Sequence, residues 1–265
     1  MKSRWYENIV VVVAILLTSV ILEFLKKRSL HSMFEAKDIK KELSSLGSVL
    51  LIIAHPDDEI MFWTPTIKAF IDYKIPLKIL CLSNGNYDGL GELREREFDN
   101  VSRELNLPDN QILNIPELQD NIKQFWEPKI VSKQIEEFLK ENTDVKTILT
   151  FDSFGITKHP NHISCYNGLI YYLKNHLEES KNKGLKIYTL DSFNFVFKYT
   201  FFNPFFSSLF KKYGIFSMTC FSSFKWMRLY ETQFTLLRKV HVFFSGYSYF
   251  NSYTRIKLDD KSYFK

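Results

Sequence analysis

Four side chains with the right types and spacing for chemistry stand out. His55 and Asp58 lie three residues apart at the end of an apolar run, and His159 and His162 lie three apart before a helix-like stretch. Two histidines and one carboxylate make a set of three donors that leaves a position open for water or substrate, the general form of a catalytic zinc site. The first pair sits in "AHPDDE", where Asp57, Asp58 and Glu59 follow one another. Three adjacent carboxylates repel unless a cation sits among them. One that is not a ligand, Asp57 or Glu59, is then free to act as a base on bound water. His159 is either a fourth ligand or a contact to the reacting group. A lone DDE after a strand is ordinarily a solvated helix start, and a lone H-x-x-H is ordinarily structural. Their joint placement is what carries the reading.

Such a site needs a scaffold that brings residues 55–59 beside residues 152–162. "SVLLIIA" (48–54) is a continuous apolar run suited to a strand buried on both faces. Thr64-Pro65 starts a helix expected to reach Tyr73. "LKILCLS" (77–83) predicts a second strand, followed by the glycine-rich loop 84–91. Helical spacing follows over 92–107, a short strand over 111–115, a helix over 127–142 and a strand over 146–151. A helix over 163–179 and a strand over 185–190 complete the series. Strands alternating with helices imply a Rossmann-like, mostly parallel α/β sheet with helices on both faces. In such sheets the ligand crevice lies beyond the carboxyl ends of the strands. The acidic cluster, the glycine-rich loop and "FDSFGITKHPNH" all follow strands, so they share one rim. Beyond residue 190 a β-rich flap and a helix over 226–242 are expected.

The 265 residues suffice for one large core, and the net charge of +5 does not suggest nucleic acid. The charge is uneven: residues 191–265 hold 11 basic and 4 acidic residues and most of the aromatics. That part is either a packed core with a solvated basic face or a surface for anionic lipid. Cys81, Cys165 and Cys220 are odd in number and far apart, so they read as buried thiols in a reducing compartment.

At the N-terminus Ile9 to Leu22 is unbroken apolar sequence, extended past Glu23 to Leu25 and followed by Lys26, Lys27 and Arg28. This predicts one N-terminal transmembrane helix over about 9–25, within an anchor 1–28, a linker 29–47 and a catalytic domain 48–265. Basic residues gather on the C-terminal side of the run, which places the bulk of the chain on the cytoplasmic side.

Taken together, Ala54-His55-Pro56-Asp57-Asp58-Glu59 and Thr150-Phe151-Asp152 through His159-Pro160-Asn161-His162 resemble the LmbE/PIG-L superfamily of zinc-dependent de-N-acetylases. The resemblance extends through Leu82 to Tyr87, Gly91, Arg94 and Glu97 to the tail "QFTLLRKVHVFFSGYSYFNS", and so covers about Val49 to Ser252. Asn161 and the tail fit the eukaryotic branch. The resemblance implies that His55, Asp58 and His162 hold Zn2+ or another divalent metal. It makes Asp57 the general base, a protonated His159 the oxyanion contact, and Asp152 a carboxylate that orients a histidine. Arg94 and Asp120 become contacts to sugar or phosphate. Lys158 stands where a small residue is expected, and would narrow the mouth or meet a lipid phosphate.

The implied substrate is the glycolipid N-acetylglucosaminyl-phosphatidylinositol, and the reaction is the second step of GPI-anchor synthesis. The implied setting is the endoplasmic-reticulum membrane, single-pass, with the catalytic domain facing the cytoplasm. A deacetylase of another GlcNAc glycoconjugate or a soluble sugar keeps the chemistry and changes the substrate. A membrane-tethered binding protein without catalysis is the reading from another class.

Overall fold

The computed structural model describes residues 46–107, 110–193, 198–199, 213–217 and 219–264. Strands β1 (Ser48–Ile53), β2 (Leu77–Cys81), β3 (Asn110–Ile112), β4 (Val145–Phe151), β5 (Lys186–Leu190), β6 (Tyr213–Phe216) and β7 (Phe250–Ile256) form one sheet in the order β3-β2-β1-β4-β5-β7-β6. The first five are parallel, and β7 and β6 add antiparallel to the edge at β5. All six residues of β1 are buried, as its unbroken apolar sequence demands of a strand covered on both faces.

The described helices are α1 (Asp58–Phe62), α2 (Thr64–Tyr73), α3 (Gly91–Glu104), α4 (Pro128–Glu141), α5 (Gly155–Lys158), α6 (Pro160–Asn175), α7 (Leu177–Asn182), α8 (Cys220–Met227) and α9 (Leu236–Phe244). Helices α4 and α6 approach closely at Gly168, where an added Cβ would lie 2.1 Å from Val131 Cγ1. The chain leaves β1 outward through β2 and β3, then returns to β4 on the other side of β1. The strand order therefore reverses between β1 and β4, and a crevice opens at their carboxyl ends. Residues 54–59 and 152–162 meet there.

Two expectations are corrected. No helix among the described residues is long and apolar enough to cross a membrane, and the span expected over 9–25 lies outside the described residues. The fold class of the described residues is α/β with a largely parallel sheet, and no membrane-spanning helix is found among them. The single-pass endoplasmic-reticulum topology, with its cytoplasm-facing domain, rested on that helix and loses its support. The helix expected over 226–242 is two helices. Between them a 3-10 turn covers Glu231–Gln233, and Thr235 caps α9 by accepting from the Arg238 N–H. Glu97 fixes this break by accepting from both the backbone N–H and the hydroxyl of Thr232.

Candidate active site

Asp57 takes a left-handed conformation (φ 100°) immediately before α1, so the three consecutive carboxyls point to different partners. Asp58 Oδ2 accepts from the backbone N–H of Ala54 and His55 at 3.1 and 2.9 Å. Its Oδ1 lies 3.1 Å from His162 Nε2, and Oδ2 lies 3.7 Å from His55 Nδ1. Burial pushes this carboxyl up, but the two histidines and the His55 N–H outweigh it and hold the group well below the usual range.

After β4 the chain makes an unusual loop: Gly155, Ile156 and Lys158 all have positive φ. Such strain persists where surrounding structure over-determines it. His159 caps α6, its Nδ1 accepting from the Asn161 N–H, and His162 follows one turn inward. The ring of His162 stacks on Phe151, with centroids 4.0 Å apart. His55, His159 and His162 each present a ring nitrogen within 4.8 Å of the other two.

The donor chemistry fits a divalent ion. His162 Nδ1 faces the Gly155 carbonyl at 3.1 Å. A carbonyl only accepts, so in the neutral ring the proton lies on Nδ1, and the Nε2 lone pair meets Asp58 Oδ1. His55 Nε2 lies 3.1 Å from both Asp120 Oδ1 and Asn161 Oδ1. Its proton belongs there, which frees the Nδ1 lone pair on the Asp58 side. Ligating histidines ordinarily donate their other N–H to a carboxylate or carbonyl in this way. Burial lowers His55, but Asp120 and Asp58 overcome it and raise the ring. Asp120 is pushed up by burial and brought down further by His55 and Arg94.

Asp57 and Glu59 have distinct surroundings. The Asp57 carboxylate lies between two guanidinium groups, 3.4 Å from Arg94 and 2.9 Å from Arg238 Nε. Glu59 is fully buried: its Oε1 accepts from Tyr230 Oη at 2.5 Å and its Oε2 from the Asp57 N–H at 3.2 Å. Burial, reinforced by Asp57 and Asp58, pushes Glu59 up to about 8 against the pull of Tyr230. Of the two alternative bases, Glu59 buttresses the backbone of Asp57, and the buried Asp57 carboxylate faces the two arginines.

Other expected site residues take different places. Asp120 orients His55. Arg94 is buried and donates to the carbonyls of Gly85 and Pro56, so its guanidinium braces the loops around Asp57. Asp152 touches no histidine. It accepts from Ser192 and from the N–H groups of Phe154 and Gly155, which fixes the loop whose Gly155 carbonyl orients His162. Lys158 is exposed beside His159. Arg238, Tyr230 and the orienting role of Asn161 were not foreseen. The one local signal was Thr235, an N-cap residue that would have started a new helix with Arg238 in its first turn.

This fold and site define a metal-dependent amidohydrolase of the LmbE/PIG-L type, with a divalent, zinc-type centre. Residues 50–173 match the family model described as PIG-L, GlcNAc-PI de-N-acetylase. A probable N-acetylglucosaminyl-phosphatidylinositol de-N-acetylase of Dictyostelium discoideum is 32% identical over 241 residues, covering 79% of this chain and 93% of that protein. A protein of the same description from Schizosaccharomyces pombe is 36% identical over 162 residues, covering 60% of this chain and 62% of its own length. Among solved structures, the N,N'-diacetylchitobiose deacetylase of Pyrococcus horikoshii superposes with a TM-score of 0.59 at 16% identity, over 89% of this chain and 92% of that one. The zinc-inhibited form of teicoplanin deacetylase superposes with a TM-score of 0.54 at 11% identity, over 79% and 99%. The chain belongs to the PIG-L family of de-N-acetylases.

Proposed function

We propose that the chain hydrolyses the N-acetyl group of a GlcNAc glycoconjugate, and that this is the glycolipid N-acetylglucosaminyl-phosphatidylinositol. The products are acetate and the glucosaminyl lipid, as in the second step of GPI-anchor synthesis. The observation that carries the chemistry is the meeting of His55, His159 and His162 around Asp58, with Asp57 on the same turn. His55, Asp58 and His162 hold the ion. When bound, the ion supplies Lewis-acid polarisation of water and of the acetamide carbonyl.

The protein's own groups do the rest. Asp57 takes the proton of the attacking water and delivers it to the departing amine as the C–N bond breaks. Arg94 and Arg238 hold its carboxylate in place. His159 is half-buried and is lowered to about 4 by burial and by the neighbouring His162 and His55. It therefore meets the oxyanion as a neutral donor, not as the protonated ring expected from sequence. Its Nδ1 accepts the Asn161 N–H, so Nε2 carries the donating proton. A well-placed donor of this kind contributes about 3–4 kcal/mol.

A lipid substrate, rather than a soluble sugar, is supported by the face of α9 beside the site. Leu236, Leu237, Val240 and Phe244 are exposed there, with Phe221 of α8, next to the Arg238 that pairs with Asp57. Such a patch suits acyl chains. The test is acetate release from N-acetylglucosaminyl-phosphatidylinositol with and without a chelator. Chelator-sensitive release is expected. Equal turnover of lipid-free GlcNAc-inositol would shift the reading to a soluble sugar, and no release from either would sink it.

A further inference from the structure

Beside the histidines lies a cavity of about 720 Å³, lined by Phe154, Thr157, Lys158, Phe193, Lys198 and Tyr199 among others. Lys198 is the unusual member. It is only 6% exposed, yet its ammonium meets no carboxylate, carbonyl or hydroxyl among the described residues. Its neighbours are rings: the centroids of Tyr199, Phe62 and Tyr247 lie 5.6, 5.7 and 5.9 Å from Nζ. Ring faces attract a cation but do not replace its lost hydration. A buried ammonium without an anion is a strained arrangement that an anionic ligand relieves.

The surroundings point the same way. Burial alone lowers Lys198 to about 8, with no neighbouring charge contributing. A second cation, Lys158, lines the same cavity and is held there by a left-handed backbone (φ 60°) that disfavours any residue but glycine. The cavity adjoins the metal donors on two sides. Lys158 directly precedes His159, and the Phe62 ring near Lys198 lies 5.7 Å from the ring of His162.

We infer that this cavity is the subsite for the phosphodiester of the substrate, with Lys198 as the residue that selects a phosphorylated headgroup over a neutral N-acetyl sugar. This rests on the proposed reaction and deepens it. The phosphodiester is separated from the acetamide by the sugar and the inositol ring, so both groups are engaged when the acetamide is at the histidines and the phosphate is in the adjoining cavity. The buried rings of Phe62 and Tyr247 shield one side of the ion pair from water and strengthen it.

The test compares a water-soluble GlcNAc-inositol phosphodiester with the same headgroup lacking phosphate. In the metal-loaded protein, Lys198→Met should lower the preference for the phosphodiester, measured as the ratio of kcat/KM values, by at least about tenfold, the scale of one charge-assisted contact. The effect should fall mainly on KM, and Lys198→Arg should restore part of it. A ratio unchanged by Lys198→Met overturns the assignment. A second measurement needs no variant: glycerophosphoinositol should inhibit turnover of the neutral headgroup far better than inositol does. Equal inhibition by the two, or inhibition by inorganic phosphate or acetate as strong as by glycerophosphoinositol, overturns it as well. Failure of the proposed reaction is distinguishable, because neither headgroup would then release acetate. The heat of glycerophosphoinositol binding, and its loss in Lys198→Met, would still report on the cavity.

Discussion

Gly85→Ala tests whether the brace around Asp57 is mechanical. Gly85 has φ +65°, and a Cβ built there would lie 2.3 Å from Arg94 Nη1, 2.5 Å from Cζ and 2.9 Å from Nε. The obstacle is the guanidinium itself. That group donates to Gly85 O at 2.9 Å and to Pro56 O at 2.5 Å, and it pairs with Asp57 and, at 3.8 Å, with Asp120. To reach ordinary contact it must move by about 1 Å, beyond hydrogen-bond tolerance for at least one of these partners. The left-handed backbone adds about 1–2 kcal/mol for any side chain. Losing one hydrogen bond of a buried charged group adds about 1.5–3 kcal/mol.

The sum is about 2.5–5 kcal/mol of destabilisation in urea denaturation of the metal-loaded protein, with a parallel fall in kcat as Asp57 loses its support. The control is the same substitution in an Arg94→Met background. With the guanidinium gone, Gly85→Ala should cost only the backbone part, about 1–2 kcal/mol. An equal cost in both backgrounds would show that Arg94 is not the element displaced, and the brace argument would fail.

Asp57→Asn should keep its metal and lose about 10²–10⁴-fold in turnover, whereas Asp58→Asn should lose metal in elemental analysis; equal metal retention by both would contradict the division between them. His159→Ala should retain metal with a reduced kcat, and metal loss in that variant would make His159 a ligand. Tyr230→Phe strips the partner from a buried Glu59 oxygen and should destabilise the protein by about 1–3 kcal/mol, an effect that an unchanged denaturation midpoint would disprove. Lys198 is a cation below about 8 and loses its charge above it, so the kcat/KM preference for a phosphodiester over a neutral headgroup should fall as pH rises through that value. His241 (down to about 3, by burial first and then Lys198), Tyr199 and Tyr247 (both pushed up by burial) stay uncharged across that window, and Lys158 is the other cation of the wall. A flat ratio from pH 6 to 9.5 would exclude Lys198 as the charge that matters.

The parts legible in the sequence are those set by short-range chemistry. An unbroken apolar run gave β1, and turn residues after β1 and β4 marked where His55, Asp58, His159 and His162 leave the sheet. What stayed hidden depends on distant chain meeting the site. Tyr230 and Arg238 lie 171 and 181 positions from the residues they contact, and no periodicity predicts such pairing. Helical spacing over 226–242 also masked the break at Thr235, because apolar residues continue on both sides of it. Asp152 was expected, from the family resemblance, to orient a histidine. In the fold its oxygens are taken by Ser192 and by the loop's own N–H groups, and a backbone carbonyl does the orienting. The membrane span was inferred from a run at the short end of spanning length, and hydropathy alone does not separate such a run from other apolar sequence.

The three consecutive carboxyls after β1 are tolerable because the fold gives each a different charge partner. Asp58 is turned into two histidines and two backbone N–H groups, a set that stabilises the anion and leaves lone pairs for a metal. Asp57, rotated away by its left-handed backbone, is matched by two arginines, one from α3 and one from α9. Glu59 lies where no cation reaches, so at neutral pH it keeps its proton and serves as a buried hydrogen-bonding strut between Tyr230 and the Asp57 backbone. In the proposed reaction one anion serves the metal and one the proton, and the third is neutralised. Each arrangement excludes the other two. A ligand cannot also be a free base. A base must be ionised, which burial without a cation denies Glu59, and a neutral strut suits the place of Glu59 but not Asp57, which two guanidinium groups face. The division of labour between ligand and base therefore follows from burial and partners at each position, and it would survive exchange of the particular metal.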